Sequence, residues 1–356
     1  MKKKVYLTLA NGKTFEGYRF GASGDVTGEL VFSTSVVGYM ETLTDPANCG
    51  NIVVQTFPLI GNYGAIRKDV ESDRAWASAF IVREICDNPS NFRSEGLLED
   101  YLKEQGVVGL YGVDTRELTK IVRENGAMTA TITSKKPTED TIKALASYKA
   151  EDPLNKVACD KKEVFAGENA KASVALWNFG AKKSVINNLT ARGFKVVSMP
   201  TNSTAEEILA ENTDGIVIAG GAGNPDKNES AKEEVKKLLG KKPIMGLDYG
   251  HLLIAASLGA KIKKQKYGHR GSNQPVKCVD CGRVYVSSQN HGYEVVSNSI
   301  VQGRVKFINV NDNSCEGIEY TEYNALTVSF APEACDLGNV ENPLYKKFYA
   351  QMKKEN

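Results

Sequence analysis

The stretch that most constrains this chain is Pro243-Ile244-Met245-Gly246-Leu247-Asp248-Tyr249-Gly250-His251. An apolar run enters a G-x-D-x-G turn, and a second apolar run, Leu252 to Ala256, leaves it. Glycines two residues either side of Asp248 permit a sharp, strained strand-to-helix turn that exposes the central side chain over a helix N-terminus. The usual occupant is Ser or Cys, because catalysis there needs a nucleophile that a neighbouring base can activate. Here the occupant is an aspartate. Either the turn does unusual chemistry, or it is what remains of an active site.

The segments around the turn alternate between strand and helix patterns. Strands read at 173–177, 195–197 and 215–219. Helices read around Val185, Ile186 and Leu189, at about 205–210, and around Val235, Leu238 and Leu239, the last capped by Ser230-Ala231-Lys232-Glu233 and closed by Gly240. This alternation predicts βαβ units and a mostly parallel central sheet flanked by helices. The texture then turns β-rich up to Phe330, and a last helix is expected over 343–353. Ligands of such sheets bind at the carboxyl ends of the strands. Gly220-Gly221-Ala222-Gly223-Asn224-Pro225 follows a buried strand, and its glycines allow backbone N–H groups close to a ligand, as an oxyanion hole requires. Alone, such a turn more often only shapes a loop. Beside the elbow it points to an acyl-transfer or amidase site.

The N-terminal part reads differently. Val5, Leu7 and Leu9 alternate into Asn11-Gly12, a hairpin signal, and further β-rich segments follow at 29–35, 52–57 and 79–85. Helices are expected over 97–104 and from Asp114, whose spacing to Glu117 resembles a capping box, to Gly126. Residues 1–150 thus read as one mixed α/β, β-rich domain. Residues 151–171 read as a linker because they are polar and lack periodicity, and 172–356 as the second domain.

Composition excludes several classes. A net charge of +2 over 356 residues gives no case for nucleic acid or a membrane surface. The apolar run from Val5 to Ala10 is too short for an export signal, and no stretch approaches a membrane span. Seven scattered cysteines without an export signal read as reduced thiols in a cytoplasmic protein. Cys278 and Cys281 have CxxC spacing, but no second pair follows for zinc and no helix for a redox motif. They read as two hairpin cysteines.

Several motifs resemble a known family. In the N-terminal domain they are Phe32-Ser33-Thr34-Ser35 with Gly38-Tyr39, Leu43-Thr44-Asp45-Pro46, Gly61-Asn62-Tyr63-Gly64, Ser90-Asn91-Phe92-Arg93 and Asp114-Thr115-Arg116. In the second domain they are Gly246-x-x-x-Gly250-His251, Gly268-His269-Arg270-Gly271-Ser272-Asn273-Gln274-Pro275-Val276, Gln289-Asn290-His291-Gly292-Tyr293 and Pro332-Glu333-Ala334. The second domain resembles the class I, triad-type glutamine amidotransferases, and nearly the whole chain resembles the small-subunit family of carbamoyl-phosphate synthetase. The resemblance implies a subunit that hydrolyses glutamine and passes ammonia to a large synthetase subunit. That partner would make carbamoyl phosphate for arginine and pyrimidine synthesis from bicarbonate and ATP. It implies no cofactor in this chain, with ATP and Mg on the large subunit.

The family's catalytic groups do not all carry over. Its cysteine falls on Asp248 and the histidine of its H-P-E motif on Ala331, while its glutamate persists as Glu333. Substrate-contacting positions fall on Ser35, Gly221, Gly223, Tyr249, Leu252 (where the family has glutamine), Asn290, Gly292 and Tyr293 (Tyr for Phe). The other histidines, His251, His269 and His291, lie in structural motifs. With two triad members gone, the expectation is a degenerate glutaminase that docks on and organises the large subunit, with free ammonia as nitrogen source. On this reading Asp248 simply caps the helix after it. Two other readings stand behind this one: a non-catalytic glutamine-binding or regulatory protein, and a hydrolase using Asp248 as nucleophile. Asp248 and Glu333 together could also draw ammonium to the old pocket.

Overall fold

The computed structural model describes residues 3–166, 170–334 and 343–354. The chain forms two compact units, one of residues 1–153 with 266–271, the other of 154–265 with 272–356.

The first unit carries β1 (Lys4–Leu9), β2 (Thr14–Gly21), β3 (Val26–Ser33), β4 (Asn51–Gln55), β5 (Leu59–Ile60), β6 (Ala79–Val82), β7 (Glu84–Ile85), β8 (Val108–Tyr111) and β9 (Met128–Thr133). Seven of them close a barrel in the order β1-β2-β8-β6-β4-β3-β9, while β5 and β7 pair separately. The alternation seen in the sequence serves this closure, since Val5, Leu7 and Leu9 enter one core with Leu30, Ile52 and Ile81. The β1–β2 hairpin turns at Asn11-Gly12 as expected. Four helices accompany the barrel: α1 (Tyr39–Thr44), α2 (Leu98–Glu104), α3 (Thr115–Asn125) and α4 (Glu139–Ser147). Asp114 caps α3 by accepting the Glu117 N–H at 2.9 Å, but the Glu117 carboxylate pairs with Lys13, so only half of the expected box forms.

Residues 266–271 join this unit through backbone bonds. The Ala127 N–H donates to the Lys266 carbonyl at 2.7 Å, and the Thr34 N–H to that of Arg270 at 3.1 Å. The domain limits drawn from composition miss this return of the chain, because a strand shared by two units leaves no compositional trace.

The second unit follows with α5 (Leu154–Val157), β10 (Glu163–Phe165), β11 (Ala172–Phe179), α6 (Lys183–Ala191), β12 (Phe194–Met199), α7 (Ala205–Ala210), β13 (Gly215–Gly220), α8 (Glu229–Leu238), β14 (Ile244–Leu247) and α9 (Tyr249–Ser257). Then come β15 (Ile262–Cys278), β16 (Val284–Val295), β17 (Arg304–Asn309), β18 (Cys315–Tyr320), β19 (Ala325–Val328) and α10 (Pro343–Lys354). Ten strands form one sheet in the order β10-β12-β11-β13-β14-β19-β18-β16-β15-β17. Strands β12, β11, β13, β14 and β19 are its parallel centre. Antiparallel strands extend it, and β17 bonds both β15 and β18, so that end curls on itself. The parallel strands carry near-continuous apolar runs because helices cover them, with Val174, Val217, Met245, Leu326 and, from α10, Phe348 in one core.

Two expectations are corrected here. The stretch 151–171, read as a linker, holds α5 and the edge strand β10, which pairs antiparallel with β12. A three-residue strand held by backbone bonds needs no apolar period of its own. Helix α8 is capped by Asn228, which accepts the Ala231 N–H at 3.2 Å, not by Ser230. The Pro225–Lys227 turn delivers the chain into the helix two residues earlier than the apolar period announces.

Candidate active site

Asp248 sits between β14 and α9 with φ 50° and ψ −110°. The other non-glycine residues with positive φ among those described are all asparagines, which tolerate it better. Such a conformation costs on the order of 1–3 kcal/mol and persists only where the surroundings impose it. Here they do. The Asp248 N–H donates to the Val328 carbonyl at 2.9 Å, tying the turn to β19, and its carbonyl accepts the His251 N–H at 3.1 Å. A Cβ on Gly250 would lie 2.0 Å from the Ile218 carbonyl oxygen, so only glycine lets α9 rest on β13. The strained elbow predicted from the G-x-D-x-G pattern is therefore present.

The cap assigned to Asp248 is not. Its residue occupies the N-cap position, yet its side chain accepts no bond from the first-turn N–H groups. A capping side chain needs β-region backbone, and the elbow's positive φ denies it.

The glycine loop lies beside the elbow. Gly220, Gly221 and Gly223 all have φ near 90°, at 90°, 91° and 90°. A Cβ on Gly221 would meet the Tyr249 ring at 2.4 Å, so only glycine lets the loop backbone come this close to that ring. Tyr249 stacks in turn on Phe179, with centroids 5.2 Å apart. Tyr249 and Leu252 are both buried. Leu252 thus puts a buried apolar side chain in the first turns of α9. Asn290, Gly292 and Tyr293 lie on β16, partly exposed. Ser35 is buried just after β3 in the first unit.

Ala331 follows β19, and its N–H donates to the Ser288 carbonyl of β16 at 2.9 Å. Its methyl group is buried, so no titratable group stands there. Glu333, two residues on, is engaged by Lys182 Nζ at 3.3 Å and by the Ser184 hydroxyl, which donates at 3.3 Å. Sequence reasoning missed Lys182 and Ser184, whose only signal is their place at the start of α6, after the carboxyl end of β11. The fully buried Tyr345 hydroxyl is held well above its usual range by burial first and by the Glu333 charge next, with Arg192, Lys182 and Asp248 also acting on it. Tyr345 therefore stays a neutral phenol, and these charges share one neighbourhood.

Two histidines of the second unit are committed elsewhere. His251 is completely buried, its Nδ1 lies 2.7 Å from Thr327 Oγ1, and burial pushes its pKa down to about 3. His291 faces Glu316 at 3.4 Å and the Tyr293 carbonyl at 3.0 Å. A base at pKa 3 holds a proton too weakly to help an amide leave near neutral pH. The arrangement holds an elbow with Asp248 at its turn, a glycine loop beside it, and Glu333 with Lys182 and Ser184.

A parallel sheet with an elbow at the carboxyl end of one strand and a glycine loop on its neighbour defines the second unit as a class I glutamine amidotransferase-like domain, and residues 175–351 match the family model "Glutamine amidotransferase class-I". Residues 7–132 match a second model, "Carbamoyl-phosphate synthase small chain, CPSase domain". The chain belongs to the carbamoyl-phosphate synthase small chain family. It is 41% identical to the carbamoyl phosphate synthase small chain of Syntrophotalea carbinolica, covering 99% of this chain and 98% of that one. The small chain of Bacillus caldolyticus is 40% identical over 99% and 98% of the two chains. The pyrimidine-specific small chain of Bacillus subtilis is 41% identical over 98% and 95%.

Proposed function

We propose that this small chain does not hydrolyse glutamine, and that it docks on and organises a synthetase large subunit that draws on free ammonia. The observation that carries this reading is the pairing of Asp248 at the elbow with Ala331 at the position of the base. A carboxylate is a weak nucleophile toward an amide, and nothing at residue 331 can protonate the departing ammonia. Loss of one triad member removes several powers of ten in rate, and here two are absent together. No histidine of the second unit takes over, since His251 and His291 are held in other bonds. The well-kept elbow and core support a scaffolding role, because a docking subunit needs the fold and not the thiol.

The test is carbamoyl-phosphate synthesis by this chain with its cognate large subunit, with glutamine or ammonium chloride as sole nitrogen source. Synthesis with ammonium and none with glutamine is the expected result. Synthesis from glutamine overturns the proposal and means that Asp248 or another residue of the chain hydrolyses glutamine.

A further inference from the structure

The β15–β16 hairpin ends in a feature that the elbow chemistry does not use. Its turn is Cys278-Val279-Asp280-Cys281-Gly282-Arg283. The Cys278 N–H donates to the Arg283 carbonyl at 2.9 Å and the Gly282 N–H to the Cys278 carbonyl at 2.9 Å. Gly282 takes φ 69°, the left-handed step that closes this turn. The turn sets Cys281 three residues after Cys278, close enough for each thiol to act on the acidity of the other. Their surroundings differ. Cys278 is buried, whereas Cys281 is the exposed thiol among the described cysteines.

The polar groups nearby favour a thiolate on Cys281. The Cys278 thiol first, then the Arg283 N–H and the Tyr285 hydroxyl, hold Cys281 below the usual thiol range. Burial acts the other way on Cys278, which is held above it. The Arg283 guanidinium lies 5.4 Å from the centre of the Tyr285 ring. Asp280, the one acid in the turn, is taken up by Arg304 at 2.9 Å and by Lys306, so its charge does not oppose a thiolate. An accessible thiolate with a second thiol behind it is the arrangement of peroxide-sensing cysteines.

We propose that Cys281 and Cys278 form a reactive dithiol that a small hydroperoxide oxidises to a disulfide within the hairpin. The Cys281 thiolate attacks the terminal peroxide oxygen; an S–O bond forms, the O–O bond breaks, and the alkoxide leaves as the alcohol after taking a proton. Cys278 then gives up its proton and attacks the Cys281 sulfenic acid. The S–S bond forms, the S–O bond breaks, and the oxygen departs as water. Two thiols lose two electrons and the peroxide gains them. The hairpin turn, which the sequence already places at these two cysteines, sets them three residues apart across its tip.

The test uses the full reduced chain and limiting hydrogen peroxide. Free thiols are then blocked with iodoacetamide, and the chain is digested and mapped by mass. The expected result is that Cys278 and Cys281 are oxidised before the other cysteines, in a species lacking two hydrogens and restored by dithiothreitol. In C281S, oxidation of Cys278 should slow at least about tenfold, while in C278S a sulfenic acid should build up on Cys281 and be trapped by dimedone. Cys281 is exposed, so C281S is readable even where C278S folds poorly. Oxidation of other cysteines first, or of Cys278 at an unchanged rate in C281S, overturns the proposal.

Discussion

Lys182 Nζ lies 3.3 Å from Glu333 Oε1, with only 15% and 6% of the two side chains exposed. In a working triad that carboxylate would orient a histidine; here its visible partners are a lysine and the Ser184 hydroxyl. The pair is kept from water, so removing one charge leaves the other poorly solvated. Glu333→Gln should lower stability by about 1–3 kcal/mol, read as a lower urea midpoint with an unchanged slope. It should leave ammonia-dependent synthesis in the complex intact.

The elbow strain should be relievable. Asp248→Gly places at φ 50° the residue that adopts it freely. Strain relief outweighs the extra freedom of the unfolded chain, for a net gain of about 1 kcal/mol. A rise in thermal midpoint checks this. A fall would mean that the Asp248 carboxylate makes contacts worth more than the strain.

Restoring chemistry should need both lost groups. Asp248→Cys alone should release no ammonia from glutamine above background, because the thiol has no base. Ala331→His alone should do no better. The double variant should exceed either single variant by about tenfold or more, since triad members act as a unit. Ammonia release by each purified variant decides. Equal rates in the single and double variants would show that the rest of the pocket, Leu252 in particular, has also drifted from substrate.

His251 predicts a pH dependence of stability. Its folded pKa of about 3 lies below the ordinary histidine value of 6.5, so between those limits the unfolded chain binds a proton that the folded one refuses. Its contribution is fully present above pH 6.5 and is lost as pH falls toward 3, at up to about 1.4 kcal/mol per pH unit. His251→Asn should be less stable near neutrality, having lost the bond to Thr327, yet should lose less on acidification from about pH 7 to about pH 5. Urea midpoints of both proteins at the two pH values give the comparison.

Much of the site was legible because its chemistry depends on residue identity at fixed spacing. Gly246, Asp248 and Gly250 announced an elbow, and the structure has one, with Asp248 at φ 50° between β14 and α9. What escaped were relations between distant segments. Lys182 reaches Glu333 from the start of another helix, and nothing near either residue in sequence marks the pair. Barrel closure by β1 and β9 and the sharing of β15 by both units are likewise matters of pairing, invisible to periodicity. The Asp248 cap failed for a local reason, since the positive φ that makes an elbow removes the backbone geometry a cap requires.

Closure has a consequence for how this chain meets other chains. In the barrel each of the seven strands is bonded on both sides, and in the large sheet β17 is bonded on both sides as well. In the large sheet the terminal strand with a single neighbour is β10, three residues from Glu163 to Phe165. An edge so short, opened by a carboxylate, offers little template for an extended segment or a growing aggregate. The closed barrel therefore offers a partner side chains and loops to recognise, and no open strand edge to extend.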